Sequence, residues 1–189
     1  MENNYSTLKQ NDRNRVYSSK QVKMKKSTLI VLFVSVSYFS FSQNKTIDSL
    51  TRVLKNTKNI SDQIRLKLEI SQQWTEIGEL ELSEKIADDA LIEAKKNKDK
   101  NNIALAYYTF GRLNQYHGYL KEALDFHNQA MPLFEELQLH KELAWTYLNI
   151  GITQQALDDL PKAIEFDKKA LEIFKKLKHE QGIAYSYIN

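Results

Sequence analysis

The stretch that decides the fold lies toward the C-terminus and reads, from residue 144 to residue 174, AWTYLNIGITQQALDDLPKAIEFDKKALEIF. When residues 141–180 are aligned with residues 101–140, ten positions are identical without a gap. The identical residues are small, apolar or aromatic with one exception, and they are Ala144, Tyr147, Gly151, Leu160, Ala163, Phe166, Ala170, Phe174, Leu177 and the exception Gln155. A fixed period in which packing residues persist while surface residues change indicates a repeat protein.

The same register continues on both sides of these two units. Upstream, Ser71 and Ala90 lie forty residues before a glycine and an alanine of the next unit, and downstream Ala184 and Tyr187 repeat residues 144 and 147. We therefore expect a half-repeat helix at 43–60, repeat 1 at 61–100, repeat 2 at 101–140, repeat 3 at 141–180 and the truncated start of a fourth repeat at 181–189.

Within each unit the apolar residues have helical spacing. In repeat 2, the run Ala104, Tyr107, Tyr108 and Gly111 follows the i, i+3, i+4, i+7 pattern of one helix face. Turn signals separate the runs, at Gly78, at Gly118 and at Asp158–Asp159. The pattern predicts an all-α chain in which every unit is helix A, a short turn, helix B and a longer link.

Two glycines lie in the middle of predicted A helices. Gly111 and Gly151 should each cost about 1 kcal/mol relative to alanine at such a position. A helix carries this cost when a neighbouring element must approach its backbone closely. We therefore predict tight helix contacts at both glycines.

These residues resemble tetratricopeptide repeats (TPR) in their forty-residue form, over residues 44–189. The resemblance is carried by Asn149–Gly151, the turn 158–160, the segments 163–166 and 169–172, and the tail 180–184. One departure is in the middle of helix B, where the family usually has an aromatic residue and this chain has Ala87, His127 and Asp167. The resemblance implies a right-handed superhelical solenoid of antiparallel helix hairpins.

The resemblance also implies an inner groove, lined by helix A side chains, that holds a protein or peptide partner. Aromatic, arginine and amide side chains on such a face would provide anchors and hydrogen bonds. For Tyr108 and Leu148 a role in the core is an open alternative. The groove positions are Glu69, Gln72 and Glu76 in repeat 1, Tyr108, Thr109, Arg112, Gln115 and Tyr116 in repeat 2, and Leu148, Asn149, Ile152 and Gln155 in repeat 3.

The N-terminal segment has the layout of an export signal. Lys25 and Lys26 precede an apolar run over residues 29–41, and small residues at 40 and 42 fit a cleavage site. We expect a disordered extension at 1–23, a signal peptide at 24–42 and cleavage between Ser42 and Gln43, which predicts a periplasmic protein. The alternatives are an uncleaved anchor, through which alone the chain would meet a membrane, and a buried core helix.

Charge and composition argue against several other classes of protein. Residues 1–42 carry seven Lys/Arg and two Asp/Glu, whereas residues 43–189 carry twenty and twenty-two, so the body lacks the basic surface that nucleic acid requires. The chain has no Cys, and its four histidines show no metal-ligand spacing. We assign these histidines to turns or the surface, and we expect no catalytic residues, no metal and no cofactor.

The sequence therefore predicts a protein–protein interaction scaffold rather than an enzyme. One hypothesis is that it forms the periplasmic sensory or docking part of a longer signalling protein, a histidine kinase or helix-turn-helix regulator, as exported arrays of the similar family often do. The alternative is a free-standing periplasmic adaptor in envelope assembly. The sequence stops within a predicted A helix, so we expect a fragment, and the gene downstream of Asn189 would distinguish the two hypotheses.

Overall fold

The structure, a computed structural model, describes residues 45–189. The extension expected at 1–23, the signal peptide at 24–42 and the cleavage site lie outside the described residues and stay predictions. Within the described part the chain is helical throughout and contains no strand. This confirms the all-α repeat architecture expected from the sequence.

Eight helices follow one another along the described chain. Each consecutive pair from α2 onward packs together, and α2 also contacts α4, as α4 contacts α6. The chain is therefore a linear stack of antiparallel hairpins whose first helices, α2, α4 and α6, lie side by side. The bounds are 45–56 for α1, Ile60–Glu76 for α2, Leu80–Lys96 for α3, Lys100–His117 for α4, Leu120–Glu136 for α5, His140–Ala156 for α6, Leu160–Lys176 for α7 and Glu180–Ile188 for α8.

The backbone repeats every twenty residues rather than every forty. Helices α2 to α8 begin at residues 60, 80, 100, 120, 140, 160 and 180, and every link between them is two or three residues long. The longer link expected between hairpins is therefore wrong. Links within hairpins and links between hairpins are both short because they use one turn geometry.

That turn is a Schellman motif at the end of each helix from α2 to α7. One residue just beyond the last helical residue has a left-handed backbone, with φ between 53° and 86°, and these residues are Gly78, Lys98, Gly118, Gln138, Asp158 and Lys178. The N–H of each bonds the carbonyl three residues earlier, and the next N–H bonds the carbonyl five residues earlier, at 2.9–3.1 Å. Glycine reaches this backbone conformation without strain at only two of the six places, so the turn does not depend on it.

The core lies between the two helices of each hairpin and the first helix of the next hairpin. Small residues on the second helices, such as Ala90, Ala130 and Ala170, are fully buried. Phe134 and Phe174 fill the space between stacked hairpins and are also fully buried. Burying a side chain of this size contributes about 1.5–3 kcal/mol, so the repeated packing residues account for the stack.

The two mid-helix glycines meet the second helix of their own hairpin. A Cβ on Gly111 would overlap the imidazole of His127, and a Cβ on Gly151 would overlap the carboxylate of Asp167. The same added atom at position 151 would lie 3.3 Å from the carbonyl oxygen of Ala163. The close approach predicted at both glycines is confirmed.

His127 corrects one expectation. The sequence predicts all four histidines in turns or at the surface, but the side chain of His127 is completely buried against Gly111 and the ring of Tyr108. The other three do lie at helix ends, with His117 closing α4, His140 opening α6 and His179 capping α8. The absence of a bulky residue at position 111 is what leaves room for the His127 ring.

Candidate functional site

A groove of about 1040 Å³ runs along one side of the stack. Apart from Leu139, which precedes α6, every residue that lines it belongs to α2, α4, α6 or α8, the first helices of successive hairpins. The second helices, α3, α5 and α7, contribute none. This arrangement matches the inner face that the resemblance implied.

Nine of the twelve residues expected in the groove line it. Leu148 is also a core residue, only 2% exposed, so its side chain forms part of the groove floor. The nine are Glu69, Gln72, Tyr108, Arg112, Gln115, Tyr116, Leu148, Asn149 and Ile152.

The other three expected residues lie elsewhere. Thr109 is buried because its hydroxyl receives a hydrogen bond from Gln72 Nε2 (3.0 Å) and donates one to the backbone of its own helix. Gln155 is exposed near the C-terminal end of α6, outside the groove. Glu76 does not line the groove but forms an ion pair with Arg112. Thr109 and Gln155 therefore lie outside the groove for different reasons, since the neighbouring first helix covers Thr109 whereas Gln155 is exposed at the end of its helix.

The groove also contains side chains that the sequence interpretation missed. Arg65, Leu105, Trp145 and Tyr185 are forty residues apart and form one row across the four helices. This row lies one helical turn before the row of Glu69 and Asn149, so extending the i, i+4 pattern toward the N-terminus would have found it. The remaining missed residues are Leu68, Asn101, Leu139, Lys141, Glu142 and Gln181.

Two amide side chains connect α4 and α6 at the floor of the groove. Gln115 Nε2 donates to the Asn149 carbonyl oxygen (2.8 Å) and to Thr153 Oγ1 (2.6 Å). Asn149 Nδ2 donates to the Trp145 carbonyl oxygen (2.9 Å) and to the Tyr108 hydroxyl (3.1 Å). Both amide nitrogens are oriented by a backbone carbonyl, so each amide has used its two N–H groups inside the protein. The side-chain oxygens of Gln115 and Asn149 are the atoms left to accept hydrogen bonds.

Charged groups in the groove are partly paired. Arg65 faces Glu69 at 3.9 Å with both side chains about half exposed, a contact that contributes little. Arg112 faces Glu76 at 3.4 Å and is only 20% exposed. Lys141 and Glu142 form no ion pair within residues 45–189.

Aromatic rings gather at the end of the groove formed by α6 and α8. The Trp145 ring lies edge-to-face against Phe174, with centroids 4.9 Å apart, and against Tyr185, at 5.8 Å. The Phe174 ring is fully buried, so it holds the indole in place, whereas Tyr185 is 48% exposed. Such a pair offers an apolar surface together with an indole N–H and a phenol O–H, the features found in protein-interaction anchors.

Two other features, a metal-binding cluster and a membrane-spanning helix, are absent from the described residues. No cluster of three or more His, Asp or Glu side chains between residues 45 and 189 has a geometry suited to a metal ion. Over the same range, none of the helices combines the length and hydropathy required to cross a bilayer. The groove is the candidate site.

Comparison with known proteins gives the fold alone. No protein-family profile matches the chain, and no curated protein matches its sequence. Among solved structures, the chain is similar to the crystal structure of BtubC (BKLC) from P. vanneervenii, with a TM-score of 0.60 and 18% identity, over 80% of this chain and 63% of that one. The match therefore spans less than two thirds of that protein's length.

Proposed function

We propose that this chain is a protein-interaction scaffold of the tetratricopeptide type that holds an extended peptide segment of a partner protein in the groove. The observation that carries the proposal is the composition of the groove lining. Aromatic, amide and arginine side chains from four parallel first helices face one channel, and the second helices take no part. The aromatic and arginine side chains are the residue types that dominate binding energy at protein interfaces, and the amides can hydrogen-bond a peptide backbone.

The dimensions of the groove support an extended peptide over a small molecule. Its volume, about 1040 Å³, lies at the upper limit of ordinary small-molecule pockets, which span roughly 300–1,000 Å³. At the usual spacing of packed helices, about 8–10 Å, four successive first helices correspond to a channel roughly 25–30 Å long. An extended chain rising about 3.3 Å per residue would fill it with about eight or nine residues.

Binding in the groove can be tested with two matched isoleucines. Ile152 is 40% exposed and lines the groove, and Ile164 is 54% exposed on α7, outside it. Peptides of about nine residues, selected from a random library on the full chain, should bind Ile152→Glu at least about tenfold more weakly, since the new carboxylate replaces an apolar contact. Fluorescence anisotropy with labelled peptide measures this change.

The Ile164→Glu variant is the control and should bind the same peptides as tightly as the parent. Circular dichroism should show equal helicity for both variants, since glutamate is a good helix former. Equal loss of affinity in the two variants would remove the groove from the proposal. Failure to select any peptide would remove the proposal itself.

The proposal also concerns the cellular compartment in which the protein acts. Residues 24–42 have the layout of a signal peptide, and they support export to the periplasm, where the scaffold would dock a partner for a signalling protein. N-terminal sequencing of the protein purified from cells should therefore begin at Gln43. A mature chain that retains residues 1–42 would contradict the export.

A further inference from the structure

Arg112 has more hydrogen-bonding capacity than its surroundings use. Its side chain is 20% exposed, and its single polar contact within residues 45–189 is with Glu76 Oε1, at 3.4 Å. A guanidinium carries five N–H donors, and arginine is rarely buried to this extent unless those donors are paired. Four donors of Arg112 therefore remain for a ligand in the groove that the side chain lines.

Two phenol groups flank Arg112 on the same face of α4. Tyr108 and Tyr116 lie four residues before and after it, so the three side chains form one row. The Tyr108 oxygen accepts a hydrogen bond from Asn149, which leaves the hydroxyl proton available. Burial raises the pKa of the Tyr108 phenol, so that proton stays in place at neutral pH. Tyr116 is 51% exposed, and its hydroxyl forms no hydrogen bond within the described part of the chain.

We propose that the row Tyr108–Arg112–Tyr116 recognises the side-chain carboxylate of an acidic residue in the bound peptide. The inference rests on the proposed function, since it assigns chemistry to the same groove. A guanidinium binds a carboxylate through two parallel N–H donors, and the phenol groups can donate to the same oxygens. The Arg112 guanidinium has N–H donors and no acceptor, so a lysine side chain would find no partner on it, and an amide would offer one neutral oxygen in place of the two charged oxygens of a carboxylate.

The ligand is a carboxylate rather than a phosphate because of Glu76. The carboxylate of Glu76 lies 3.4 Å from the only guanidinium in the row. A phosphate group would add close to two negative charges beside it, and phosphate sites usually supply several cationic or N–H donors. One arginine that is already near one carboxylate suits a second singly charged carboxylate better.

The aromatic pair Trp145–Tyr185 provides a second contact for the bound peptide, one suited to an aromatic or large apolar side chain. Position 145 lies seven residues before Ile152, the residue that corresponds to Arg112 in the next hairpin. Seven helical residues span about 10 Å along the helix axis, and packed helices are about 10 Å apart across it. Trp145 and Arg112 are therefore roughly 14 Å apart. An extended peptide covers that distance in about four residues. The bound segment therefore carries an acidic residue and an aromatic or large apolar residue about four positions apart.

The test uses the peptides of about nine residues selected on the full chain. The selected sequences should carry Asp or Glu at one position, enriched about tenfold or more over the starting library. For a selected peptide and its counterpart with the acid replaced by the amide, the parent should show a tenfold to hundredfold difference in Kd. In Arg112→Gln that difference should fall to about twofold, and in Tyr116→Phe it should be intermediate.

Each other outcome has a defined meaning. Selected peptides without a fixed acid, or discrimination that survives in Arg112→Gln, overturn this inference and leave the peptide scaffold standing. A preference for phosphoserine at that position, or for a free over an amidated C-terminus, also overturns it in favour of a different anion. If Arg112→Gln loses helicity, the Tyr116→Phe variant tests the inference instead. An unchanged preference for the acid in that variant would contradict recognition by Tyr108, Arg112 and Tyr116. If no peptide is selected, the proposed function fails and this inference fails with it.

Discussion

Gly111→Ala is expected to lower the free energy of unfolding by about 1–3 kcal/mol, the usual range for overpacking a filled site. The added methyl would overlap the His127 ring, including its Nε2 atom at 2.7 Å. The ring is completely buried between α4 and α5, so it cannot swing out to solvent without a shift of the helices. Unfolding in urea at neutral pH, monitored by circular dichroism, measures the loss.

Gly151→Ala is the matched control, at the same position one repeat later. Its added methyl would meet the end of the Asp167 side chain, which is only partly buried and can rotate toward solvent. Alanine is also the better helix former by about 1 kcal/mol, which offsets the small backbone adjustment needed at Ala163. We expect this variant to stay within about 1 kcal/mol of the parent. Equal losses in the two variants would show that the His127 ring is not the obstacle.

A second substitution should rescue the first. In repeat 1 the corresponding positions hold Ser71 and Ala87, a larger residue facing a smaller one. The double variant Gly111→Ala with His127→Ala reproduces that distribution of size. Its destabilisation should be smaller than the sum of the two single variants, since residues in contact do not behave additively. Simple additivity would contradict the direct contact.

Acidification is expected to destabilise the protein through His127. Burial, and then the positive charge of Arg112, lowers the pKa of the His127 imidazole from 6.5 to about 3. Neither ring nitrogen has a hydrogen-bond partner within the described residues, so nothing favours the charged form. The unfolded chain binds a proton below pH 6.5 and the folded chain does not. The stability from neutral His127 is therefore complete above pH 6.5 and is lost progressively as the pH falls toward 3.

Between pH 7.5 and pH 5 the free energy of unfolding should fall by about 2 kcal/mol, since each pH unit below 6.5 removes about 1.36 kcal/mol. Urea unfolding of the parent and of His127→Phe at both pH values measures it, and the phenylalanine variant should lack this part of the pH dependence. The surface variant His140→Gln should keep the dependence of the parent. If His127→Phe and the parent lost stability equally, the imidazole would have to be accessible to protons in the folded state.

Much of the fold could be predicted because packing residues are under the same physical constraint in every hairpin. Ala130 and Ala170 are fully buried at equivalent places, and any larger residue there would push the helices apart. The forty-residue identity of such positions is visible in the sequence without any structure. The mid-helix glycines were also informative, because their cost in helix propensity requires a compensating contact.

The parts that sequence reasoning missed depend on combinations of residues. His127 is polar and was assigned to the surface by its type, yet its burial follows from the missing side chain at Gly111. Thr109 was placed in the groove by its register, but a hydrogen bond from Gln72 covers it. Trp145 was overlooked because it lies one turn before the row that the family resemblance indicated. In each case the neighbour across the helix interface decides the environment.

The twenty-residue spacing of the turns limits how such a chain can grow. Duplicating or deleting one helix and its turn would leave every Schellman turn intact, because all six have the same geometry. It would also exchange the roles of the helices beyond that point, so that residues of second helices, which do not line the groove, would take groove positions, and the glycine–histidine contact would be lost. Insertions of two helices preserve both patterns. Unequal recombination in the gene should therefore be tolerated in units of 120 base pairs and selected against in units of 60.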